Sequence, residues 1–507
     1  AISGAGTLNA VEADDGAVNS VTFSTTVAAA TFNVGSTSKS GVVILNGDTT
    51  VTNLNIFAGD VDAEDSTVTV NGDLDTTTIT LDDGTNSAVT KIIFADSDTV
   101  TITGAITAAT ANDGTIQVTG ANKTFSGTIG GTRIGTLDIN ETSTYTGAVT
   151  VDSLDIAANK TATFKNNVTL NTSATINSSA TFLVTSAGTP AAITVTGSVL
   201  GASDGVGTVQ ITNTGGTTFT TTVGNTANTL ALINIDQDTT FSGSVEATAI
   251  NNAASTTATF SDNVTATITN SGTLLFNTSA DKSVTGTISE AAGGDTTEIK
   301  VIDSADGAPA TVTFTATVAA DTLTVGTTSK AGAALFEDDV TVPAINITGA
   351  NSGDENSTVT FNTAVTATAI VLDDSGIAGK AKVIFAAANT ATITGTINGS
   401  ATTEGSIQIT GATKTFASII GGSNPLTLID IDGTSIFNAA VSATNIDNDG
   451  TATFKSDVTA ATANDGTLTL TPNGDNDITH SGAISGAGTL NAVEADDGAV
   501  NSVTFST

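Results

Sequence analysis

The sequence predicts an all-β protein, a parallel β-solenoid (β-helix) of about 25 turns of about 19 residues each, uncapped at both ends. Three observations lead to this fold class. The 507 residues repeat themselves on several length scales, the composition favours strands, and aromatic residues recur at a nearly constant spacing. A unit of about 19 residues is too small to bury a face by itself, so successive units must stack.

The longest repeat is a complete duplication. Residues 483–507 reproduce residues 1–25, AISGAGTLNAVEADDGAVNSVTFST, at an offset of 482. A self-contained globular domain has no folding reason to carry the same segment twice. We therefore expect one continuous β-solenoid over 1–507, in which 483–507 is the start of the next 482-residue period and neither end carries a polar cap.

A shorter repeat of about 96 residues divides the period into five modules. Its most regular motif is VTFSTTVAA at 21–29, and variants follow as KTFSGTIGG, TTFTTTVGN, VTFTATVAA and KTFASIIGG. The phenylalanine of each copy sets the predicted module bounds, which are 23–124, 125–218, 219–313, 314–415 and 416–504.

Within a module, anchors are mostly 18 to 20 residues apart, as in the series Phe125, Tyr145, Phe164 and then Phe182 or Val184. Each anchor alternates with polar residues, as in TATFKNNV, which is typical of a strand with one buried face. In stacked turns the anchors would lie over one another, each contributing about 1.5 to 3 kcal/mol by burial. The predicted core ladder consists of Phe23, Phe125, Tyr145, Phe164, Phe219, Phe260, Phe314, Phe361, Phe416 and Phe454.

The composition excludes several classes of protein. There is no Cys, Met or Trp, and 50 acidic against 13 basic residues give a net charge of −37, which repels nucleic acids. Without cysteine there is neither a disulfide framework nor a thiolate metal site. No apolar run approaches the roughly 18 residues of a membrane span. Thr, Val, Ile and Phe, which favour strands, are abundant, and 39% of the residues are hydrophobic, so the chain should fold.

Paired carboxylates such as Asp73 with Asp75 raise the alternative of a polysaccharide hydrolase, because a glycosidase needs two carboxyl groups at the scissile bond. The pairs single out no one place along the chain, and the residues that stack on sugars are almost absent. We therefore predict no catalytic and no cofactor-binding residue, and a protein that is not an enzyme.

Calcium is the one cofactor that the acidic residues suggest, because it takes six to eight oxygen ligands. The stretch NIDNDG begins like a calcium loop, but its twelfth position is Ser456 instead of a bidentate Glu. Solvated turn carboxylates are the simpler interpretation. The candidate ligands are Asp60, Asp62, Glu64 and Asp65 of DVDAEDS, and Asp447 and Asp449 of NIDNDG.

His480 is the single histidine of the chain. With no second His and no Cys to complete a transition-metal site, we expect a surface side chain.

In its SGAGTLN, TATFKNNV and VTVDSLDI repeats, the whole chain resembles the β-strand-repeat proteins of microbial cell surfaces. These include adhesins, autotransporter passengers, fibre-forming proteins and surface-layer proteins built from parallel β-solenoids. The resemblance implies an exported structural or adhesive protein, located outside the cell at its surface.

The 482-residue recurrence favours a structural role among these, namely an extracellular filament, fibre or sheath built from a tandem-repeat β-solenoid. The expected partner is the chain itself, by tandem continuation or head-to-tail stacking, with lateral bundling as a further mode. The alternatives are an adhesin stalk, a surface-layer subunit and a surface polysaccharide-degrading enzyme.

Overall fold

The computed structural model describes residues 1–12, 19–59, 65–85, 88–96, 98–292, 295–305, 308–351, 356–375, 379–474, 476–493 and 501–506. These residues form strands and turns and no helix. Accordingly, the described part of the chain offers no helix with the length and apolar character needed to cross a membrane. The chain divides into two compact units, Ala1–Asn251 and Asn252–Thr507, and each is a parallel β-solenoid.

The strands are numbered in chain order. Those that begin in the first unit are β1 Ile2–Ser3, β2 Thr7–Ala10, β3 Ser20–Phe23, β4 Val27–Val34, β5 Val42–Leu45, β6 Thr49–Phe57, β7 Ser66–Val70, β8 Leu74–Asp82, β9 Thr90–Phe94, β10 Thr101–Ile102, β11 Ala105–Ala108, β12 Asp113–Val118, β13 Lys123–Phe125, β14 Ile129–Ile139, β15 Ser143–Tyr145, β16 Val149–Ile156, β17 Thr161–Phe164, β18 Val168–Ile176, β19 Thr181–Val184, β20 Ile193–Gly201, β21 Thr208–Ile211, β22 Thr217–Phe219, β23 Leu230–Ile235, β24 Thr239–Phe241 and β25 Val245–Asn252.

Those of the second unit are β26 Thr257–Phe260, β27 Val264–Asn270, β28 Thr273–Thr278, β29 Lys282–Thr285, β30 Ile288–Glu290, β31 Glu298–Asp303, β32 Thr311–Phe314, β33 Val318–Ala319, β34 Thr322–Val325, β35 Ala333–Phe336, β36 Val340–Thr341, β37 Ala344–Thr348, β38 Ser357–Phe361, β39 Val365–Asp373, β40 Ala381–Phe385, β41 Ala391–Gly399, β42 Ser406–Ile409, β43 Lys414–Phe416, β44 Leu426–Ile431, β45 Thr434–Phe437, β46 Val441–Asn448, β47 Thr451–Phe454, β48 Val458–Asn464, β49 Thr467–Leu470, β50 Ile478–Ser481, β51 Ile484–Ser485, β52 Thr489–Ala492 and β53 Val503–Ser506.

Strands pair in parallel with the strands one turn before and one turn after them, as β17 does with β15 and β19. Burial alternates along the strands. In β17, the side chains of Ala162 and Phe164 are buried and those of Thr161 and Thr163 face outward. The alternation in the sequence is thus the alternation between the interior and the surface of the solenoid.

Three stacks of strands enclose the core of the first unit. The register places one inward residue of each strand over that of the next turn. Stack A contains Phe23, Leu45, Val70, Phe94 and Val118. Stack B contains Phe125, Tyr145, Phe164, Val184 and Ile211. Stack C contains Ile79, Ile106, Ile129, Val149, Val168, Val195 and Phe219.

The second unit repeats this arrangement. Stack D contains Phe314, Phe336, Phe361, Phe385 and Ile409. Stack E contains Phe416, Phe437, Phe454 and Leu470. Stack F contains Phe260, Phe276, Val301, Val325 and Ile347.

A module corresponds to four turns and one further strand. From Phe23 the chain makes four turns within stack A to Val118, and then reaches Phe125 in stack B. From Phe125 four turns lead to Ile211, and Phe219 follows in stack C. Successive modules therefore start on different faces of the solenoid.

The number of turns differs from the sequence expectation. Over the described residues there are about 21 turns instead of about 25. The reason is that the expected 19-residue turn holds between Tyr145 and Phe164, whereas register partners are 27 residues apart at Val184 and Ile211. A parallel ladder constrains the strands and leaves the corner loops free to vary in length.

Ring stacking follows the strand spacing. In stack E, the ring centroids of Phe416 and Phe437 are 5.0 Å apart and those of Phe437 and Phe454 are 4.6 Å apart, close to the roughly 4.8 Å between paired strands. Where the chain changes stacks, the rings meet edge to face, as for Phe94 and Phe125 at 83°. Nine of the ten predicted ladder residues are at most 1% exposed, and Phe23 is half-buried.

Candidate functional site: the repeated rung

The carboxylates suggested as calcium ligands do not form a cluster where the structure describes them. Asp60, Asp62 and Glu64 lie outside the described residues. Asp65 accepts a hydrogen bond through Oδ1 from the backbone N–H of Val89 at 2.9 Å, which links two successive turns. Within the described ranges, no three carboxylate or imidazole groups, including those of Asp447 and Asp449, are arranged to hold a metal ion.

Carboxylates do lie opposite one another in pairs on outward positions of adjoining strands. Asp430 lies opposite Asp447 in the adjoining turn. Burial raises the pKa of Asp430, and the neighbouring negative charges, first that of Asp432, raise it further, while Lys382 opposes this shift. Asp155, opposite Asp138, also has a raised pKa because of burial, partly offset by the amide of Asn177. The two carboxylates of each pair repel each other, and a bound proton or a mobile cation relieves this repulsion.

Two lysines lie inside the solenoid at equivalent places in the KTF motif, which the sequence did not mark as buried. Lys123 is 2% exposed, donates to the backbone oxygen of Asp98, and lies 3.9 Å from the Asp96 carboxylate. Lys414 is 1% exposed and donates from Nζ to the backbone oxygen of Ala387 at 2.7 Å. Burial lowers the pKa of both ammonium groups. These contacts tie each lysine to the loop of the preceding turn.

The duplicated segment is here called the repeated rung, and its two copies are residues 1–25 and 483–507. The described residues of each copy form three strands. In the first copy, strands β1, β2 and β3 pair with the turn that follows them. Ile2 lies opposite Val27, Leu8 opposite Phe32, and Phe23 opposite Leu45.

The second copy forms three corresponding strands and pairs with the turn that precedes it. The equivalents of these residues, Ile484, Leu490 and Phe505, lie opposite Thr462, Leu468 and His480. Strands β51 and β52 cover the same residues as β1 and β2, displaced by one 482-residue period. The same sequence therefore forms corresponding strands whether the adjoining turn follows it, as in the first copy, or precedes it, as in the second.

The two copies use different backbone groups for the bonds beyond the strand ladders. Toward the following turn, the first copy uses Ile2 N–H, Gly4 N–H, Ala10 C=O and Phe23 C=O. Toward the preceding turn, the second copy uses Ala483 C=O, Thr489 N–H, Val493 N–H and Ser502 C=O. Among the described residues, no group in the first set is the equivalent of one in the second. A single copy of the rung could therefore bond on both sides at once.

One side chain of the rung shows the same division. Nδ2 of Asn33 donates to Oδ1 of Asn9 at 2.8 Å, so the first copy accepts from the following turn. Nδ2 of Asn491, the equivalent of Asn9, donates to Oγ1 of Thr469 at 3.5 Å, so the second copy donates to the preceding turn. An amide can do both simultaneously, because its donor and acceptor are separate atoms.

His480 lies against the second copy. The expectation of a surface histidine is wrong, since the side chain is fully buried between Val458 and Phe505. Nε2 is 3.0 Å from Oγ1 of Thr462, and Nδ1 has no hydrogen-bond partner among the described residues. Burial lowers the pKa of the imidazole. The signal in the sequence is the alternation of Ile478, Thr479 and His480, which marks position 480 as inward.

Acidification is expected to open the turn that contains His480. The imidazole binds a proton more tightly in the opened state than when it is buried. Burial of the neutral ring therefore stabilises the closed turn above the ordinary pKa of about 6.5, and this stabilisation is lost as pH falls below it. Strands β48 and β53 carry no ionisable side chain, and the nearby Asp457 and Asp477 bind the backbone N–H groups of Thr479 and Ser502.

Hydrogen exchange measures this effect. Between pH 7.5 and 5.5, protection of the amides in β50 and β53, corrected for intrinsic rates, should fall by up to about tenfold, which is the ratio of protonated to neutral imidazole at pH 5.5 for an ordinary pKa of about 6.5 in the opened state. His480→Phe should remove the pH dependence. Equal pH dependence in the two proteins would show that another group is responsible.

In comparisons with known proteins, no family model, no curated protein and no solved structure matches the chain. We therefore infer its function from the repeated rung and the composition.

Proposed function

We propose that this is a structural protein whose 482-residue periods join into a continuous β-solenoid, building an extracellular filament, fibre or sheath on a microbial cell surface. The observation that carries the proposal is that the two copies of the repeated rung form equivalent strands and use different backbone groups. One rung can thus bond to residues 26–46 of its own period and to residues 462–482 of the period before.

The interior and the surface suit this role. The core is a series of stacked rings and aliphatic side chains that repeats with the turns, so each added period would bury the same kind of surface as the previous one. The net charge of −37 favours solubility and opposes unspecific side-by-side association. Because the chain has no cysteine, it has no disulfide bonds. Its stability comes from the buried side chains and the hydrogen-bonded strand ladders.

A chain of two periods, made of residues 1–482 followed by residues 1–507, tests the join. In the single-period protein, the amides of Ile484 and Gly486 should exchange rapidly, because their equivalents Ile2 and Gly4 donate toward the following turn. In the two-period protein, the same amides at the internal rung should exchange at least about tenfold more slowly. Unchanged exchange at the internal rung would mean that the periods fold separately, and the proposal would fail.

Imaging of the source cells with an antibody to the repeat tests the location and the form. Labelled filaments or a sheath outside the cell are the expected result. Label confined to the cell interior would contradict the proposal. A two-dimensional lattice would instead indicate a surface-layer subunit, and label along a stalk below an unlabelled tip would indicate an adhesin.

A further inference from the structure

We infer that one face of the first unit, here called the threonine face, is the surface through which copies of the chain associate side by side. The face consists of the outward side chains of β10, β13, β15, β17, β19 and β21, with the residue that follows each strand. This inference rests on the proposed filament function and specifies its partner, a second copy that presents the same face.

Threonine fills most of the outward positions of these strands. Thr101, Thr124, Thr144 and Thr163 lie over one another in register and form the central row of the face. Since alternate residues of a strand point outward, Thr161 lies beside this row, one position along β17 from the buried Ala162. All the threonines of the central row are exposed or half-buried.

The hydroxyl groups in the middle of the face are available to a partner. Among the described residues, the hydroxyls of Thr124, Thr144 and Thr163 take part in no hydrogen bond. The hydroxyl of Thr146, at the edge of the face, instead donates to the backbone oxygen of Phe125 at 3.3 Å. A threonine hydroxyl rotates and can both donate and accept, so two such rows can bond to each other without leaving unpaired groups.

The charge of this face differs in sign from that of the whole chain. The six strands and the residues that follow them contain no carboxylate side chain, and Lys165 is their one outward charge. At the border, Nζ of Lys160 lies 2.7 Å from the Glu141 carboxylate, so that pair is neutral. Two copies with a net charge of −37 repel each other, and this face is where their close approach brings no carboxylates together.

The corresponding strands of the second unit differ in the row itself. In the repeats KTF and TATF, Thr415 and Thr453 are the equivalents of Thr124 and Thr163, and they are also half-buried. Between them lies Ile436, which interrupts the row of hydroxyls.

The border of the second-unit strands also differs. The corners that precede β45 and β47 carry Asp432 and Asp449, where the first unit has the neutral pair of Glu141 and Lys160. These carboxylates would oppose the approach of another acidic chain. The threonine face is therefore a property of the first unit, and the second unit supplies a matched control.

The area of the face indicates a contact that is weak singly and strong when repeated. Six strands spaced by about 4.8 Å, and a width of about 15 Å along each strand, give about 400 Å² on each partner. A stable specific interface buries about 800 Å² on each partner. Because a filament presents the face once in every period, contacts along two filaments add to one another. Two copies meeting face to face about a two-fold axis make this contact self-complementary.

Charge variants of the 507-residue chain test the contact. Variant D carries Thr124→Asp and Thr163→Asp, and variant K carries Thr124→Lys and Thr163→Lys. The two positions are two turns apart, so the new charges do not adjoin each other. The matched control carries Thr415→Asp and Thr453→Asp, which make the same change of net charge in the same repeats outside the face. Urea unfolding verifies that variant D and the control are equally stable.

Sedimentation equilibrium in high salt, with protein up to about 1 mM, reports association. We expect the unmodified chain and the control to form dimers once salt screens their net charge. Variants D and K alone should each need at least about tenfold more protein, because like charges meet across a self-complementary contact. An equal mixture of D and K should dimerise again.

Cross-linking identifies the surface that forms the dimer. With a mixture of isotope-labelled and unlabelled copies, an amine cross-linker should join Lys165 of one copy to Lys160 or Lys165 of another. Dimers that lack these links would overturn the contact, as would variant D dimerising as readily as the control, or an unmodified chain that stays monomeric in high salt. Each of these results leaves the join between periods standing, whereas rapid exchange at the internal rung of the two-period chain would overturn the proposed function.

Discussion

Replacing Phe437 by Asp should lower the free energy of unfolding of the second unit by more than about 4 kcal/mol. Phe437 is 1% exposed and lies between the rings of Phe416 and Phe454, at centroid distances of 5.0 and 4.6 Å. Removing a buried phenylalanine costs about 3 to 5 kcal/mol, and the carboxylate adds the cost of an unpaired buried charge. Urea unfolding followed by circular dichroism measures the loss.

Ile419→Asp is the matched control, because it introduces the same carboxylate in the second unit at an apolar side chain that is 44% exposed. In dilute solution it should change the free energy of unfolding by less than about 1 kcal/mol. Equal losses at the two positions would contradict the assignment of position 437 to the interior of a stack.

The sequence was sufficient to predict the strands, their parallel stacking and much of the interior. The alternation in TATFKNNV is visible in the local sequence, and in the structure Ala162 and Phe164 are buried as it predicts. The spacing of Phe125, Tyr145 and Phe164 also matches the register, and their rings are stacked at centroid distances of 5.1 Å. Both features involve only one turn and the next. The repeats in the sequence show directly which residues of successive turns are equivalent.

The number of turns could not be obtained in this way. Phe23, Phe125 and Phe219 have equivalent local sequences, yet they occupy stacks A, B and C. Nothing in the local pattern of a strand states which of three similar faces it joins. The 19-residue spacing seen between Tyr145 and Phe164 therefore could not be extended to the whole chain, because turns elsewhere are longer, as between Val184 and Ile211.

Asn-Gly and Asp-Gly pairs between the strands predict corners with left-handed backbone geometry. Gly84 and Gly114 have φ of 67° and 77°, as this predicts, whereas Gly433 and Gly450 have no positive φ. A Cβ atom on Gly450 would lie 2.0 Å from the backbone oxygen of Gly433, and one on Gly466 would lie 2.0 Å from that of Gly450. Close approach of successive turns requires these glycines.

Polar residues in the interior were the main omission. Lys123, Lys414 and His480 occupy inward positions of strands, where the alternation predicts apolar residues. Their burial depends on partners that lie a turn away, such as the backbone oxygen of Ala387 for Lys414. The spacing to those partners varies with loop length, so the pairing could not be derived from the sequence.

Asn448→Asp should cost at least about 3 kcal/mol at pH 7, although it changes the size of the side chain very little. Asn448 is fully buried, and Nδ2 donates to Oδ1 of Asn464 at 2.7 Å and to the backbone oxygen of Thr467 at 3.1 Å. A carboxylate would remove both donors and place a charge beside two acceptors, and each unmade buried hydrogen bond costs about 1 to 3 kcal/mol. Since burial and acceptor neighbours favour the protonated form, stability should recover as pH falls toward the ordinary aspartate pKa of about 3.9. Asn71→Asp, at an exposed amide that donates to Asn46 at 2.9 Å, should cost less than about 1 kcal/mol at any pH. If the two variants lose the same stability, the buried amides only fill space, and the turns of the second unit are held in register by the aromatic stacks and the backbone ladder.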